Sequence, residues 1–244
     1  MQVKQAANVL TILEFFAERK RPATLSEIAD ELGWPRSSTF NIVGTLADKG
    51  YLYEPRARGG FYPSPQWAAV IAPIAEADPL PDALLQLAKE VAQETGETTA
   101  IGAFASTHVI FVHVAESSQP VRYFAQIGSQ VPIQASSAGR AILAQYSAQE
   151  RQSIYRKIKF ERFTDTSPTS IDEVEAEIRH SIERGYFQSQ SEYLPDLVGV
   201  SLSVPVQARR LSVVVAGPVS RCYDRRPQIA EILQRALRRF APDL

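Results

Sequence analysis

The sequence predicts an α+β chain in two parts, and two observations support this. Residues 24–52 carry two short helical patterns separated by a brief break and followed by a hairpin. After residue 82, strand patterns come in consecutive groups with helical patterns gathered between them, which favours one antiparallel sheet with flanking helices. A chain of 244 residues with 45% hydrophobic residues can build such a core. The predicted domains are residues 1–62, a linker helix at 63–80, and residues 81–244.

The first pattern is typical of a helix-turn-helix. Its first helix is predicted at Ser26–Leu32, where the Ser26 hydroxyl can accept an otherwise unpaired backbone N–H. Gly33 permits the chain to reverse direction. Pro35 can occupy the first position of the next helix, where a missing N–H costs nothing.

The second helix of the pair has two different faces. An apolar face at the helical spacing is formed by Thr39, Ile42, Val43 and Leu46. The opposite face is small and polar, which suits close approach and hydrogen bonding to base edges in a major groove. The residues predicted to contact DNA from this helix are Arg36, Ser37, Ser38, Phe40, Asn41 and Gly44. The alternative is a three-helix domain that only packs or dimerises.

A predicted β-hairpin after these helices makes the pattern a winged helix-turn-helix. Residues 51–53 and 61–62 have strand character, and residues 54–60 contain two glycines and a proline, which favour a turn. Arg56 and Arg58 fall at the hairpin tip, where we expect contacts with phosphates or the minor groove. A solvated tip would also carry charge, so these arginines alone do not decide the matter.

A linker follows the hairpin at residues 63–80. Trp67 and several aliphatic residues predict a short helix, which we expect Pro73 to interrupt. The apolar residues Val70, Ile71 and Ile74 are expected to pack on the body of the chain or at a dimer contact.

Composition excludes several classes of protein. One cysteine, Cys222, cannot form an internal disulfide framework and fits a reducing cytoplasm. Three scattered histidines give no zinc-ligand spacing, so no metal or other cofactor is expected. No apolar run approaches the roughly 20 residues of a membrane span, and the first residues lack the build of a signal peptide. The formal net charge of −1 neither favours nor opposes nucleic-acid binding.

The C-terminal part alternates groups of strands and helices. Helices are predicted at 82–95, 138–146, 149–157, 171–184 and 225–240. Strands are predicted at 98–105, 109–115, 121–126, 185–191, 198–206 and 211–219. Four arginines are expected at solvated helix ends, with the mouth of an anion pocket as the alternative: Arg140, Arg221, Arg225 and Arg226.

Five stretches in this order resemble the IclR family of transcriptional regulators over nearly the whole chain. They are LSEIADELGWPRSSTFNIVGTLADKGYL, ETGETTAIGAF, VPIQASSAGRAILA, RGYFQSQSEYLPDLVGVSLSVPV and LSVVVAGPVSR. The resemblance implies a winged helix-turn-helix, a linker helix and a C-terminal GAF-like effector domain. It also implies a homodimer or homotetramer on double-stranded operator DNA that responds to a small organic acid.

The resemblance also implies where an effector binds. The implied residues are Ser136, Ser137, Ala138, Ser189, Ser201, Ser203, Val214 and Ala216. Unpaired N–H groups before the helix at Ala138 suit a carboxylate, while Val214 and Ala216 are apolar where relatives carry polar groups. An acid with an aromatic or otherwise apolar body is therefore expected. The alternative is that these residues have ordinary core and capping roles.

The chain departs from the family at the DNA-contacting helix. The family usually has arginine where this chain has Asn41. Because asparagine pairs with adenine whereas arginine prefers guanine, we expect a different operator sequence.

An enzyme is a weaker alternative. Gly199–Ser203 begins like a hydrolase nucleophile turn but lacks the closing glycine, and no Asp/His pair accompanies it. The resemblance to the family therefore implies a cytoplasmic, ligand-responsive repressor of a catabolic operon and not an enzyme. The alternatives are a dimerisation or sensor module that does not bind DNA, and a hydrolase.

Overall fold

The computed structural model describes residues 3–206 and 209–243 and divides the chain into two compact units, Met1–Pro79 and Leu80–Leu244. The finer division at residues 62 and 80 stays a prediction. The outermost residues of the predicted domains, 1, 2 and 244, lie outside the described residues.

The N-terminal unit is a three-helix domain with a small hairpin and a following helix. Its elements are α1 (Lys4–Arg19), α2 (Leu25–Leu32), α3 (Arg36–Asp48), β1 (Leu52–Tyr53), β2 (Tyr62–Pro63) and α4 (Gln66–Ala77). Their apolar faces meet in one core that includes Ile12, Phe16, Ile28, Val43 and Leu52. This burial stabilises helices too short to be stable alone.

Helix α2 begins one residue before the predicted start, and its cap is Thr24, not Ser26. The Thr24 hydroxyl accepts the Glu27 N–H at 3.3 Å, and the Glu27 carboxylate accepts the Thr24 N–H at 2.8 Å. This reciprocal pair satisfies two backbone donors, whereas a Ser26 cap would satisfy one.

The hairpin and the linker helix also differ from prediction. Phe61 pairs with Ala23, so the returning strand is Tyr62–Pro63. Helix α4 continues through Pro73, so the proline removes one amide donor from the helix but does not end it, contrary to the predicted interruption. Trp67 fixes the start of α4, since its Nε1 donates to the Tyr51 carbonyl at 2.9 Å.

The C-terminal unit is a six-stranded antiparallel sheet between two layers of helices, which confirms the α+β fold class. Its elements are α5 (Asp82–Thr95), β3 (Thr98–Ala105), β4 (His108–Ala115), β5 (Gln130–Pro132), α6 (Ser137–Leu143), α7 (Ala148–Tyr155), α8 (Ile171–Arg184), β6 (Phe187–Gln190), β7 (Leu197–Val206), β8 (Arg209–Pro218), α9 (Val219–Cys222) and α10 (Arg226–Phe240), followed by a 3₁₀ turn at Ala241–Asp243. The strand order is β5-β4-β3-β8-β7-β6.

Each central strand buries both of its faces. On β8, Val213 and Val215 join the core beneath α5 and α10, whereas Val214 and Ala216 face the core beneath α6 and α8. This explains why β8 is a continuous apolar run without the alternation of a half-exposed strand.

The predicted strand at 121–126 is wrong. This segment is irregular, and β4 pairs instead with Gln130–Pro132. Side chains bind its carbonyls in place of a neighbouring strand: Thr98 Oγ1 donates to Tyr123 O at 2.7 Å, and Arg221 Nη2 donates to Val121 O at 2.8 Å.

Helix α6 lies against the chain that precedes it, and Gly139 permits this approach. A Cβ added at Gly139 would lie 1.9 Å from the Ile133 carbonyl oxygen, so no larger residue fits without moving backbone. Ser136 caps the helix by accepting the Gly139 N–H at 3.2 Å while its own hydroxyl donates to the Pro132 carbonyl at 2.7 Å. These contacts fix the position of α6 relative to the preceding residues 132–133.

Candidate functional site

Helix α3 turns the predicted DNA-contacting face outward within the N-terminal unit. Thr39, Val43 and Leu46 are buried, whereas residues 36–38, 40 and 41 are exposed and Gly44 is partly exposed. The helix therefore buries one side and leaves the small, polar side open. Apart from Arg36 and Phe40, the predicted DNA-contacting face carries only serines, an asparagine and a glycine, which a purely structural helix would not require.

Phe40 and Gly44 give this face its shape. Phe40 is a large aromatic side chain with 62% of its surface exposed. A Cβ added at Gly44 would find no atom within 4 Å, so the surface beside the ring is open. The Phe40 ring can contact a thymine methyl group. Because Gly44 has no side chain, the helix backbone beside the ring can approach a base edge.

The hairpin between β1 and β2 presents two arginines. The Gly59 N–H donates to the Arg56 carbonyl at 2.8 Å and closes the tip turn, and Arg58 takes the left-handed conformation with φ of 58°. Both arginine side chains are exposed. The tip thus offers two cations on a short, hydrogen-bonded turn, which suits phosphate contacts.

A small cavity lies between α6 and the sheet of the C-terminal unit. Its volume is about 20 Å³, which is room for one water molecule. Its lining contains six of the eight predicted effector residues, together with six that the sequence did not predict. The lining residues are Phe111, Tyr123, Val131, Ser136, Ser137, Ala138, Ser189, Tyr193, Leu197, Gly199, Val214 and Ala216.

Two serines and a glycine form the polar side of this cavity. The Ser137 and Ser201 hydroxyls share a hydrogen bond of 2.7 Å. A Cβ added at Gly199 would lie 2.5 Å from Ser137 Oγ and 2.8 Å from Ser189 Oγ. Because position 199 is a glycine, there is room beside it for both the Ser137 hydroxyl from α6 and the Ser189 hydroxyl from β6.

Ser201 and Ser203, the other two predicted residues, do not line the cavity. Ser201 is fully buried behind Ser137, and the Ser203 hydroxyl donates to the Ala141 carbonyl at 2.6 Å. Ser203 lines a separate groove that also contains Gln145 and Phe187. Both serines attach α6 to β7.

Two tyrosines close the cavity. Tyr123 lies in the irregular segment after β4 and Tyr193 in the loop after β6, and their hydroxyl oxygens are 2.5 Å apart. Burial raises the pKa of both phenols, and for Tyr193 the neighbouring Tyr123 raises it further. Both hydroxyls consequently stay protonated at neutral pH. No local pattern marks these residues, because they are far apart in sequence and in segments without regular structure.

Arg140, which was expected at a solvated helix end, is instead buried under the Tyr193 loop. Its side chain is 1% exposed. Nη1 lies 2.6 Å from Glu192 Oε2 and Nη2 lies 2.8 Å from Glu192 Oε1, a bidentate ion pair. The guanidinium also donates to the carbonyls of Gln134, at 3.1 Å, and Gln188. One side chain therefore joins the start of α6 to β6 and to the residue before Tyr193.

Hydroxyl groups hold the same loop from its other side. Thr164 Oγ1 donates to the Ser191 carbonyl at 2.5 Å, and Ser167 Oγ donates to the Glu192 carbonyl at 2.5 Å. Because these carbonyls have partners in the 164–167 turn, the loop needs no neighbouring strand.

Within residues 3–206 and 209–243, no group of three or more His, Cys, Asp or Glu residues could hold a metal ion. No helix in the same ranges has the length and apolar character needed to cross a membrane.

A helix-turn-helix unit with an exposed polar face on α3, followed by a sheet domain with a small cavity, defines a DNA-binding regulator. Comparison with known families agrees. The model of the IclR helix-turn-helix domain matches residues 5–56, and that of the bacterial transcriptional regulator IclR C-terminal domain matches residues 79–241. The chain belongs to the IclR family of DNA-binding transcriptional regulators.

Individual relatives are distant but nearly full-length. The chain is 24% identical over 229 residues to the acetate operon repressor of Salmonella typhimurium, covering 92% of this chain and 84% of that protein. It is 26% identical over 208 residues to the HTH-type transcriptional regulator BhcR of Paracoccus denitrificans, covering 83% and 74%. The Thermotoga maritima IclR structure has a TM-score of 0.77 at 16% identity and covers 100% of this chain and 99% of that one. The structural likeness supports the fold.

We predict that Glu192→Gln lowers the free energy of unfolding of the C-terminal unit by about 3 kcal/mol, because it leaves the buried Arg140 cation without a carboxylate. Urea unfolding followed by circular dichroism measures this. The matched control is Glu161→Gln, which breaks the exposed pair with Lys159 and should leave the unfolding curve nearly unchanged, because solvent screens that pair. Equal losses in the two variants would contradict a stabilising role for the Arg140 pair.

Proposed function

We propose that this chain is a ligand-responsive repressor that binds double-stranded operator DNA through α3 and the hairpin tip. The observation that carries the proposal is the exposed, small and polar face of α3 in a chain of this family. Repression is supported by relatives named as repressors, including the acetate operon repressor and AllR. By analogy with the first of these, the regulated genes form a catabolic operon.

In the proposed complex α3 lies in the major groove. Residues 36–38 at the start of the helix contact phosphates and base edges, and Asn41 pairs with an adenine. Phe40 contacts a thymine methyl, and Gly44 lets the helix approach the bases. Arg56 and Arg58 follow the adjacent backbone into the minor groove.

The effector is proposed to occupy the cavity beneath Tyr123 and Tyr193. The sequence predicts an organic acid with an apolar body, and the apolar wall of Val131, Val214 and Ala216 supports the apolar body. Hydroxyl groups on Ser137 and Ser189 offer hydrogen bonds to its polar end.

We further propose a cytoplasmic homodimer or homotetramer without enzymatic activity. Helix α4 has no buried residue within the described chain, and Ile71 and Ile74 are 54% and 66% exposed, which supports a contact with a second copy. Paired domains imply an operator with two half-sites. Relatives that are regulators support a non-enzymatic role.

We predict that Asn41→Ala and Arg56→Ala each weaken operator binding while leaving the melting temperature within about 1 °C of the parent. Loss of one bidentate base contact should weaken binding about tenfold. Loss of one phosphate contact should also reduce the slope of log affinity against log salt by about 1. Fluorescence anisotropy with DNA from upstream of the chain's own gene measures both.

Two exposed residues, Gln152 on α7 and Arg156 immediately after α7, provide matched controls for these variants. Gln152→Ala removes a side-chain amide and Arg156→Ala removes a cation, and both lie in the C-terminal unit. Neither control should change operator affinity. If the Asn41 and Arg56 variants bind like their controls, the proposed DNA face is wrong and a module that does not bind DNA becomes the better account.

We predict that Ser137→Leu abolishes ligand stabilisation by filling the cavity. A thermal-shift screen of small aromatic compounds should find a ligand that raises the melting temperature of the parent by about 3 °C, and this shift should vanish in the variant. Ser153→Leu, an exposed change on α7, is the matched control and should keep the shift.

Folding of the Ser137 variant is checked by a cooperative melt and by parent-like operator binding. Val214→Phe fills the same cavity from the side of the sheet. It replaces Ser137→Leu as the cavity variant if Ser137→Leu does not fold. A ligand shift that survives in both cavity variants would place the effector elsewhere.

A further inference from the structure

Among the residues that the structure describes, none with a charged side chain lines the cavity beneath the two tyrosines. Its polar side-chain groups are all hydroxyls, on Tyr123, Ser136, Ser137, Ser189 and Tyr193. Hydroxyls can donate and accept hydrogen bonds but supply no net charge. A carboxylate placed here would give up its hydration without gaining a cation, and burial of an unpaired ion is costly.

The neighbouring cation is already neutralised. Arg140 lies on α6, but its guanidinium faces Glu192 in a bidentate pair and also serves two carbonyls. It lines a separate polar cleft that also contains Arg162 and Glu177, not the small cavity. Recruiting Arg140 to a ligand would leave Glu192 without its partner, so the ion pair opposes such an exchange.

The start of α6 does not replace a cation. The helix has seven residues, and its Ser136 cap already accepts the Gly139 N–H at 3.2 Å. The Ser137 hydroxyl is likewise engaged with Ser201 at 2.7 Å. Both serine hydroxyls at the start of α6 therefore already have protein partners, and the helix start offers a ligand backbone N–H groups but no full positive charge.

Tyr123 and Tyr193 are the groups that a ligand must separate. The closed cavity of about 20 Å³ is far smaller than the roughly 150 Å³ that a benzene-sized molecule fills. Both tyrosines belong to irregular segments, whereas the serines and the apolar wall belong to regular elements or their caps. Parting the phenols enlarges the cavity and frees one donor and one acceptor, which the ligand then has to satisfy.

We propose that the cavity selects an uncharged ligand with a benzene-sized apolar body and one neutral polar group, read by the hydroxyls of Tyr123 and Tyr193. This inference rests on the proposed effector role of the cavity. It replaces the predicted carboxylate with a carbonyl, amide or hydroxyl group. Tyr123 and Tyr193 are then the residues that determine specificity.

The test compares two probes of the same shape and different charge, benzamide and benzoate. Isothermal titration of each into the full chain at neutral pH should show benzamide binding about tenfold more tightly or better, because only benzoate buries a charge. Ser137→Leu, with Val214→Phe as its substitute, identifies the site of binding.

Tyrosine variants test which groups read the ligand. The ratio of the affinities for benzamide and toluene should fall about fivefold in Tyr123→Phe and in Tyr193→Phe, because toluene needs no hydrogen bond. Toluene itself should bind at least as well as to the parent, since the hydroxyl pair no longer has to be broken. Tyr186→Phe, a partly buried tyrosine outside the cavity, is the control and should leave the ratio unchanged.

The possible outcomes separate this inference from the proposed function. If benzoate binds as tightly as benzamide and Ser137→Leu abolishes binding, the effector site stands and the inference is overturned. If both probes bind unchanged to the cavity variants, the site itself is wrong and the inference falls with it. An unchanged benzamide-to-toluene ratio in both tyrosine variants, or no binding of either probe to the parent, also overturns the inference.

Discussion

The buried ion pair between Arg140 and Glu192 is the interaction on which the C-terminal unit depends. Burying a guanidinium is favourable only when a carboxylate and hydrogen-bond acceptors replace water. Here a bidentate carboxylate and two backbone carbonyls do so. Because those partners come from the chain before α6, from β6 and from the following loop, the same charge fixes all three around the cavity.

This pair also explains why the cavity is closed. Glu192 immediately precedes Tyr193, so the position of the carboxylate sets that of the phenol. On the opposite side Thr98 binds the Tyr123 carbonyl, which brings the second phenol to the first. The backbone of both tyrosine segments is thereby held in place, and the contact between the two hydroxyls is the one that a ligand would have to separate.

The N-terminal unit depends on a different feature, which is that α3 has one buried face and one exposed face. Its buried side holds the small core together and its outer side remains available to a partner. This division follows from helical periodicity alone, so the sequence predicts the helix-turn-helix face well. The helix at Ile171–Arg184 was predicted correctly for the same reason: a regular apolar spacing lies between a serine cap and Gly185.

Features that depend on distant contacts were not predictable in this way. The alternating residues of 121–126 resemble a strand, but a remote arginine and threonine bind the carbonyls that a strand would pair. Arg140 looks like a solvated residue on a polar helix end, yet the helix is buried on all sides. Tyr123, Tyr193 and Gly199 meet only because the sheet order places their segments together. The Thr24 cap, by contrast, could have been found from the Thr-x-x-Glu spacing.

We propose that a ligand in the C-terminal unit changes DNA binding by the N-terminal unit. The most direct test measures operator affinity with and without a compound that raises the melting temperature of the parent but not that of Ser137→Leu. The account predicts that a saturating amount of this compound changes the operator Kd of the parent about fivefold or more, and that the Ser137 variant does not respond. The same Kd for the parent in both conditions would contradict it.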